Sequence, residues 1–426
     1  MRWIRRLCLA LAAACLLSGC SMAPAGVDEL LRAPQLTGEQ SQVQKALTAY
    51  LGEAPQLKYP TQSTGGPLSP FVFGDWNGDG RTDAAVFYVS VAKGQNVHVA
   101  VLEQQEGAWA VTQEKEGLAT TVESIATASI QATGGTQLLV GYASVSGEKY
   151  LAVYDYQQQT LSEVLHESYS QYELRDITGS GANDLVIISS SQGEGMQLKL
   201  FTAESGRFIS TQQLALNPQF TSCEGLYSSL GEDGSYYLIL DGQTGSGVSL
   251  ASAILYYDAR LQQLGEYAAI TETDLYNATQ RYSPLLRSQD IDGDGTVEIP
   301  RQIDTGGLGA LTVNRLSFIA WMDYTSEYEQ EKSFGVADLE YGYYLELPDA
   351  LKGDVMVTDG DLPDSWQVRS ADGETLYLTV RVTAPGVEGA GYFRLGNIGA
   401  QKVQARIGSA HASLRPAQLA GGFVVL

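Results

Sequence analysis

Three stretches of this 426-residue chain place oxygen-bearing side chains at alternate positions of a glycine-rich turn: Asp75 to Asp83, Asp176 to Asp184 and Asp290 to Glu298. Each offers oxygens at loop positions 1, 3, 5 and 9, with glycine at position 6, where a backbone wrapped around an ion must turn sharply. A hard cation such as Ca²⁺ collects about six to eight oxygens, and the position 7 carbonyl adds one. In the first loop the ligands are Asp75, Asn77, Asp79 and Asp83 with the Arg81 carbonyl; in the third they are Asp290, Asp292, Asp294 and Glu298 with the Thr296 carbonyl. The middle loop keeps Asp176 and Asp184 but has Thr178 and Ser180 between them, so it carries less charge and is a weak site. An EF-hand needs a bidentate Glu at position 12, where these loops have Val86, Ile187 and Arg301. Mg²⁺ suits the loops less well than Ca²⁺, because it demands tight octahedral geometry and retains its waters. The competing reading is that Asp-Gly and Asn-Gly clusters are simply β-turns.

Other chemistry is sparse. The three histidines, His98, His166 and His411, share no metal-ligand spacing. No Gly-x-Ser-x-Gly elbow occurs, and Gly242-Gln243-Thr244-Gly245-Ser246-Gly247 lacks the Gly-Lys-Ser/Thr ending of a phosphate cradle. Acid pairs are the remaining catalytic candidates, since a glycosidase requires only two carboxylates across a cleft. Asp323, Glu327 and Glu329 near Trp321 and Tyr324 offer one such cleft, against a plainer reading as solvated surface acids. The net charge of −23 excludes the basic footprint that nucleic acid requires.

The N-terminus carries Arg2, Arg5 and Arg6, then an apolar run from Leu7 to Leu17 and small residues, the layout of an export signal. Leu17-Ser18-Gly19-Cys20 resembles a bacterial lipobox, which implies cleavage before Cys20 and lipidation of its thiol. The expected place is the outer face of a bacterial cell membrane, held by acyl chains. With Cys8 and Cys15 in the leader, Cys223 is the one ordinary thiol of the mature chain and no internal disulfide forms.

These loops need strands to hold them. Thr37 followed by Gln40 is a capping box, and Val43, Leu47, Tyr50 and Leu51 make one apolar helical stripe. From about residue 70 to 330, short apolar runs such as 84–88, 138–140, 185–188 and 238–240 are separated by Gly, Ser and Asn clusters. The three acidic loops, with eroded copies at Ser129 to Gln137 and Ser229 to Tyr237, recur about every 50 residues, the length of a four-stranded propeller blade. Five blade starts follow. The expected divisions are a signal peptide at 1–19, a tether at 20–36, a helix and linker at 37–69, a mainly β propeller at 70–333 and a small α+β or all-β domain at 334–426.

The run Phe73-Gly74-Asp75 to Asp83, followed by Ala84 to Tyr88, resembles the FG-GAP or VCBS repeat of integrin α-type propellers and many bacterial surface proteins. The whole layout is similar to VCBS-repeat lipoproteins of anaerobic Gram-positive bacteria. That resemblance implies a β-propeller with structural Ca²⁺ in its blade loops and a role in adhesion or ligand recognition. The expected function is therefore a non-catalytic binding or scaffold module with a protein or glycan ligand. Two alternatives stand beside it, a cell-surface carbohydrate hydrolase and a lipoprotein subunit of a membrane complex.

Overall fold

The computed structural model describes residues 36–63, 68–129, 135–191, 195–204, 207–245, 247, 249–267, 274–303, 315–326, 328–353, 355–387, 389–408 and 414–426. The export signal, Cys20, the tether to 35, Glu327 and His411 lie outside them. Among the described residues no helix is long and apolar enough to cross a membrane.

The capping box forms: Thr37 Oγ1 accepts from the Gln40 amide at 3.2 Å, and Gln40 Oε1 accepts from the Thr37 amide at 3.0 Å. Helix α1 (Gly38–Leu51) ends at Gly52, whose φ of 75° is one that glycine adopts without strain. Its buried Val43 and Leu47 pack on Phe71, Val86, Tyr88 and Trp109, one face of the first sheet. Burying each contributes about 1.5–3 kcal/mol.

The rest is a β-propeller, a succession of antiparallel sheets in chain order, each packed on the next. Sheets 2, 3 and 4 are four-stranded meanders over 121–168, 171–215 and 220–266. In sheet 1 the first position is split between Gln56–Leu57 and Phe71–Gly74, both paired to Asp83–Val89. The predicted linker is thus partly structural, and residues 61 and 62 also donate amide hydrogen bonds to the Val122 and Glu123 carbonyls of sheet 2. Sheets 1 to 4 each bury two faces, which explains strands such as Leu185 to Ile188 that are apolar without alternation. Sheets 1 and 2 share Phe87, Val99, Val140 and Tyr154; sheets 3 and 4 share Ile188, Leu198, Leu240 and Ala253.

Two expectations change at the C-terminal end. The division at 333/334 falls inside the strand Gln330–Asp338, which lies in sheet 5 between Leu316–Asp323 and Tyr343–Glu346. The last strand of the chain, Phe423–Val425, returns to pair with Tyr343 to Leu345 and closes this sheet. The sixth sheet (355–407) also shares one core with the fifth, where Phe318, Val336 and Leu345 meet Trp366, Val368 and Val380. Leu347 and Leu351, in the connection between them, are buried in that same core.

A buried ion pair fixes the passage from sheet 4 to sheet 5. Asp241 and Arg281 are fully buried, with Arg281 Nη2 2.6 Å from Asp241 Oδ1. Asp241 also accepts from the Ser252 hydroxyl at 2.7 Å and from the Ser288 amide and hydroxyl at 2.6 and 2.7 Å. Arg281 Nη1 donates to the Thr279 carbonyl and to Ser252, and its Nε donates to the Leu286 carbonyl. Removing one partner strands the other charge in the core. Arg281→Met is expected to cost about 3–5 kcal/mol in urea unfolding, and adding Asp241→Leu to it should restore most of that loss.

Candidate functional site

All three acidic loops are hairpins between the first and second strand positions of a sheet, closed in the same register. Gly74 pairs with Asp83 and Arg175 with Asp184, while Gln289 meets Glu298 through an isolated bridge. In sheet 5 the first strand is thereby reduced to a single bridge, with Ile299–Ile303 following directly. The eroded copy at Ser129 keeps the register, with Ala128 opposite Gln137.

Inside each loop the position 1 carboxylate collects main-chain donors. Asp75 accepts from the Asp79 and Gly80 amides at 3.0 and 2.8 Å, Asp176 from Ser180 and Gly181 at 2.9 and 2.7 Å, and Asp290 from Gly293 and Gly295 at 2.7 and 3.0 Å. The glycines at positions 4 and 6 have φ between 71° and 92°, the left-handed region that brings these amides inward. The position 9 acid closes the far side: Asp83 accepts from the Trp76 amide at 3.1 Å, Asp184 from Ile177 and Thr178 at 3.0 and 2.9 Å, and Glu298 from Ile291 at 3.0 Å. Thr178 and Ser180 hold the middle loop in the same shape with less charge, so the turn itself is independent of the full acidic set.

The three loops differ in what they gather. In the third, Asp290, Asp292 and Asp294 are exposed and present carboxylate oxygens within 4.8 Å of one another. Ligands 2.3–2.6 Å from one Ca²⁺ lie about that far apart. Glu298 is wholly buried beneath them, and its Oε1 has no hydrogen-bond partner among the described residues. Burial first, and then the charges of Asp292, Asp294 and Asp290, push its carboxyl from 4.5 up to about 7. A divalent cation would relieve that crowding. In the first loop Asp75, Asp79 and Asp83 do not form such a trio. Burial, with the nearby charges of Glu103, Asp79 and Asp75, raises Asp83 from 3.8 to about 6. In the middle loop burial raises Asp184 as well.

Two neighbours of these loops escaped the sequence because other strands supply them. Glu103, on the third strand of sheet 1, accepts from Asn77 Nδ2 at 3.4 Å and from the Tyr156 hydroxyl at 2.8 Å. Lys332, on Gln330–Asp338, lies 2.8 Å from Asp294 Oδ2 and lowers the Asp294 carboxyl. Nothing in the spacing of either residue marks it as a neighbour of a loop.

The other candidates are structural. Trp321 and Tyr324 are buried and offer no stacking face, and Asp323 is itself buried, capped by the Thr325 amide and hydroxyl at 2.7 and 2.9 Å. Both the carbohydrate cleft and the solvated-surface reading therefore fail for Asp323. His98 is a buried strand residue with Nδ1 3.0 Å from Glu114 and its ring stacked on Tyr88. Burial pushes the Cys223 thiol up to about 12, far from a reactive thiolate.

No family model and no curated protein matches this chain. Among solved structures it is similar to the exotype rhamnogalacturonan lyase YesX (12% identical, TM-score 0.33, covering 78% of this chain and 72% of that one). It is also similar to the Dos1 propeller (13%, 0.30, 83% and 82%) and to Bacillus licheniformis rhamnogalacturonan lyase PL11 (10%, 0.31, 78% and 77%).

Without metal, Glu298 binds its proton more tightly in the folded chain than in the unfolded one. Its contribution to stability is then fully present below about pH 4.5 and is lost as pH rises to about 7. Metal-free Glu298→Gln is expected to match the parent at about pH 4 and to exceed it at about pH 8 by on the order of 3 kcal/mol in urea unfolding.

Proposed function

We propose that this protein is a calcium-binding, lipid-anchored extracytoplasmic β-propeller that serves as a non-catalytic binding or scaffold module. The observation that carries the metal part is the third loop, where three exposed carboxylates converge above a buried Glu298 with an unpartnered oxygen. Asp290, Asp292, Asp294 and Glu298, with the Thr296 carbonyl, hold the ion. Asp75, Asn77, Asp79 and Asp83, with the Arg81 carbonyl, form a second site, and Asp176, Thr178, Ser180 and Asp184 a weak third. Bound Ca²⁺ neutralises the acids that close each hairpin and so fixes the position of the strand that follows. Its part is structural.

The anchoring part rests on the sequence. Lipidation at Cys20 places the propeller on the outer face of the membrane, where an acidic surface keeps it apart from other anionic polymers. The ligand is a protein or a glycan, and no nucleic acid is expected.

Calorimetric titration with Ca²⁺ tests the reading directly. Two sites are expected, one lost in Asp75→Ala and the other in Asp290→Ala, with a calcium-dependent rise in melting temperature that shrinks in each variant. Absence of heat and of any shift in melting temperature would sink the metal assignment. Lys332→Met removes a cation that competes for Asp294, and it should tighten the third-loop site by about threefold to tenfold at low salt, read from the same titration.

A further inference from the structure

A cavity of about 730 Å³ opens where sheets 1, 2 and 3 meet, lined by the first strands Phe71–Gly74, Thr121–Ala128 and Gln171–Arg175. Its floor holds Glu123. The pairing of Thr121–Ala128 with Gln137–Ala143 steps from Val122 opposite Tyr142 to Ser124 opposite Gly141, leaving Glu123 as the extra residue of a β-bulge. A bulge re-aims one side chain out of the regular alternation, here into the cavity.

Glu123 is only 6% exposed and is held by side chains from three separate segments. Its Oε1 is 2.5 Å from Lys149 Nζ and accepts from Gln62 Nε2 at 2.9 Å, while its Oε2 accepts from the Tyr169 hydroxyl at 2.5 Å. Gly141 makes room for this arrangement, because a Cβ there would stand 2.2 Å from the Tyr169 hydroxyl. A partly buried ion pair contributes little net stability, and an apolar filling would serve the core equally well. A charged cluster at the floor of an open cavity is better accounted for by a ligand.

The charges define the class of that ligand. Glu123 and Lys149 neutralise each other. The second carboxylate, Glu173, accepts from the Ser228 hydroxyl at 3.0 Å, and Arg175 donates to the same hydroxyl at 3.1 Å. An anionic ligand meets the Glu173 carboxylate beside an already paired Glu123, and a cation must displace Lys149. A neutral polyhydroxylated molecule needs neither adjustment, since its hydroxyls can donate to Glu123 and accept from Lys149. Phe73 and Tyr172 supply apolar surface for its C–H faces. The volume suits a short chain of sugar units.

We infer that this cavity binds a neutral oligosaccharide non-covalently, with the Glu123–Lys149 pair as its hydrogen-bonding floor. The inference rests on the reading of the protein as a binding module and gives that module its ligand class. The test is calorimetry on the purified full chain with Ca²⁺ present, using cellotetraose, xylotetraose and mannotetraose, with tetragalacturonate as the anionic comparator. At least one neutral tetrasaccharide should bind with Kd below about 1 mM, at least about tenfold tighter than tetragalacturonate. Glu123→Gln and Lys149→Met should each weaken binding by about tenfold or more. Lys149 is one-third exposed, so Lys149→Met tests the site even where Glu123→Gln does not fold. No binding by any neutral probe, binding unchanged in Lys149→Met, or preference for tetragalacturonate would each overturn the inference. Melting temperatures with and without Ca²⁺ on the same samples separate the two ideas. A calcium response without sugar binding removes the carbohydrate site alone, and sugar binding without a calcium response removes the metal alone.

Discussion

The feature on which the propeller's regularity depends is a carboxylate drawn out of water at the foot of a hairpin. Asp83, Asp184 and Glu298 are each almost wholly buried, and each accepts a main-chain amide from the start of its own loop. An ionised carboxylate in that position is costly unless hydrogen bonds or a cation offset it. The loop therefore turns inward to supply amides, glycines take the left-handed conformation that permits it, and the second strand of the sheet starts in a fixed register. The same solution recurs in sheets 1, 3 and 5, which is why the spacing of acids and glycines recurs in the chain.

The fifth sheet shows how far that device can stand in for ordinary pairing. Its first strand has shrunk to the Gln289–Glu298 bridge, yet the loop keeps its shape and Ile299–Ile303 enters the sheet in place. The stretch that precedes it, from Thr279 to Ser288, is anchored by the Asp241–Arg281 network to the middle strands of sheet 4. One buried ion pair thus takes over the positioning done elsewhere by a hydrogen-bonded strand. The sheet also gains on its other edge, where Phe423–Val425 adds to Tyr343–Glu346 and ties the end of the chain into the body.

The polar interior near sheets 1 to 3 is organised differently. There a β-bulge and an opposing glycine aim Glu123 toward Lys149 and Tyr169, and Gln62 reaches in from the segment before sheet 1. Four residues far apart in the chain converge because the first strands of neighbouring sheets line one space. Glu224 occupies a comparable bulge in sheet 4, between Cys223 and Gly225, so the device is used in more than one blade.

What the sequence determined by itself was whatever is local. The capping box at Thr37, the glycine positions in the acidic loops and the strand after each loop depend on residues a few positions apart, and all three are present in the structure; of the stripe Val43, Leu47, Tyr50 and Leu51, all but the exposed Tyr50 pack on the first sheet. The division at residue 334 was not legible, because a strand that continues an existing sheet and one that founds a new domain have the same alternating pattern. Neither was the role of Asp241, Arg281, Glu103, Lys332 or Glu123, whose partners come from other strands and from other sheets. Hydrophobic periodicity and turn chemistry act along the chain. Only tertiary packing decides which charges are carried out of water together, and both the buried ion pair and the floor of the cavity exist through that choice.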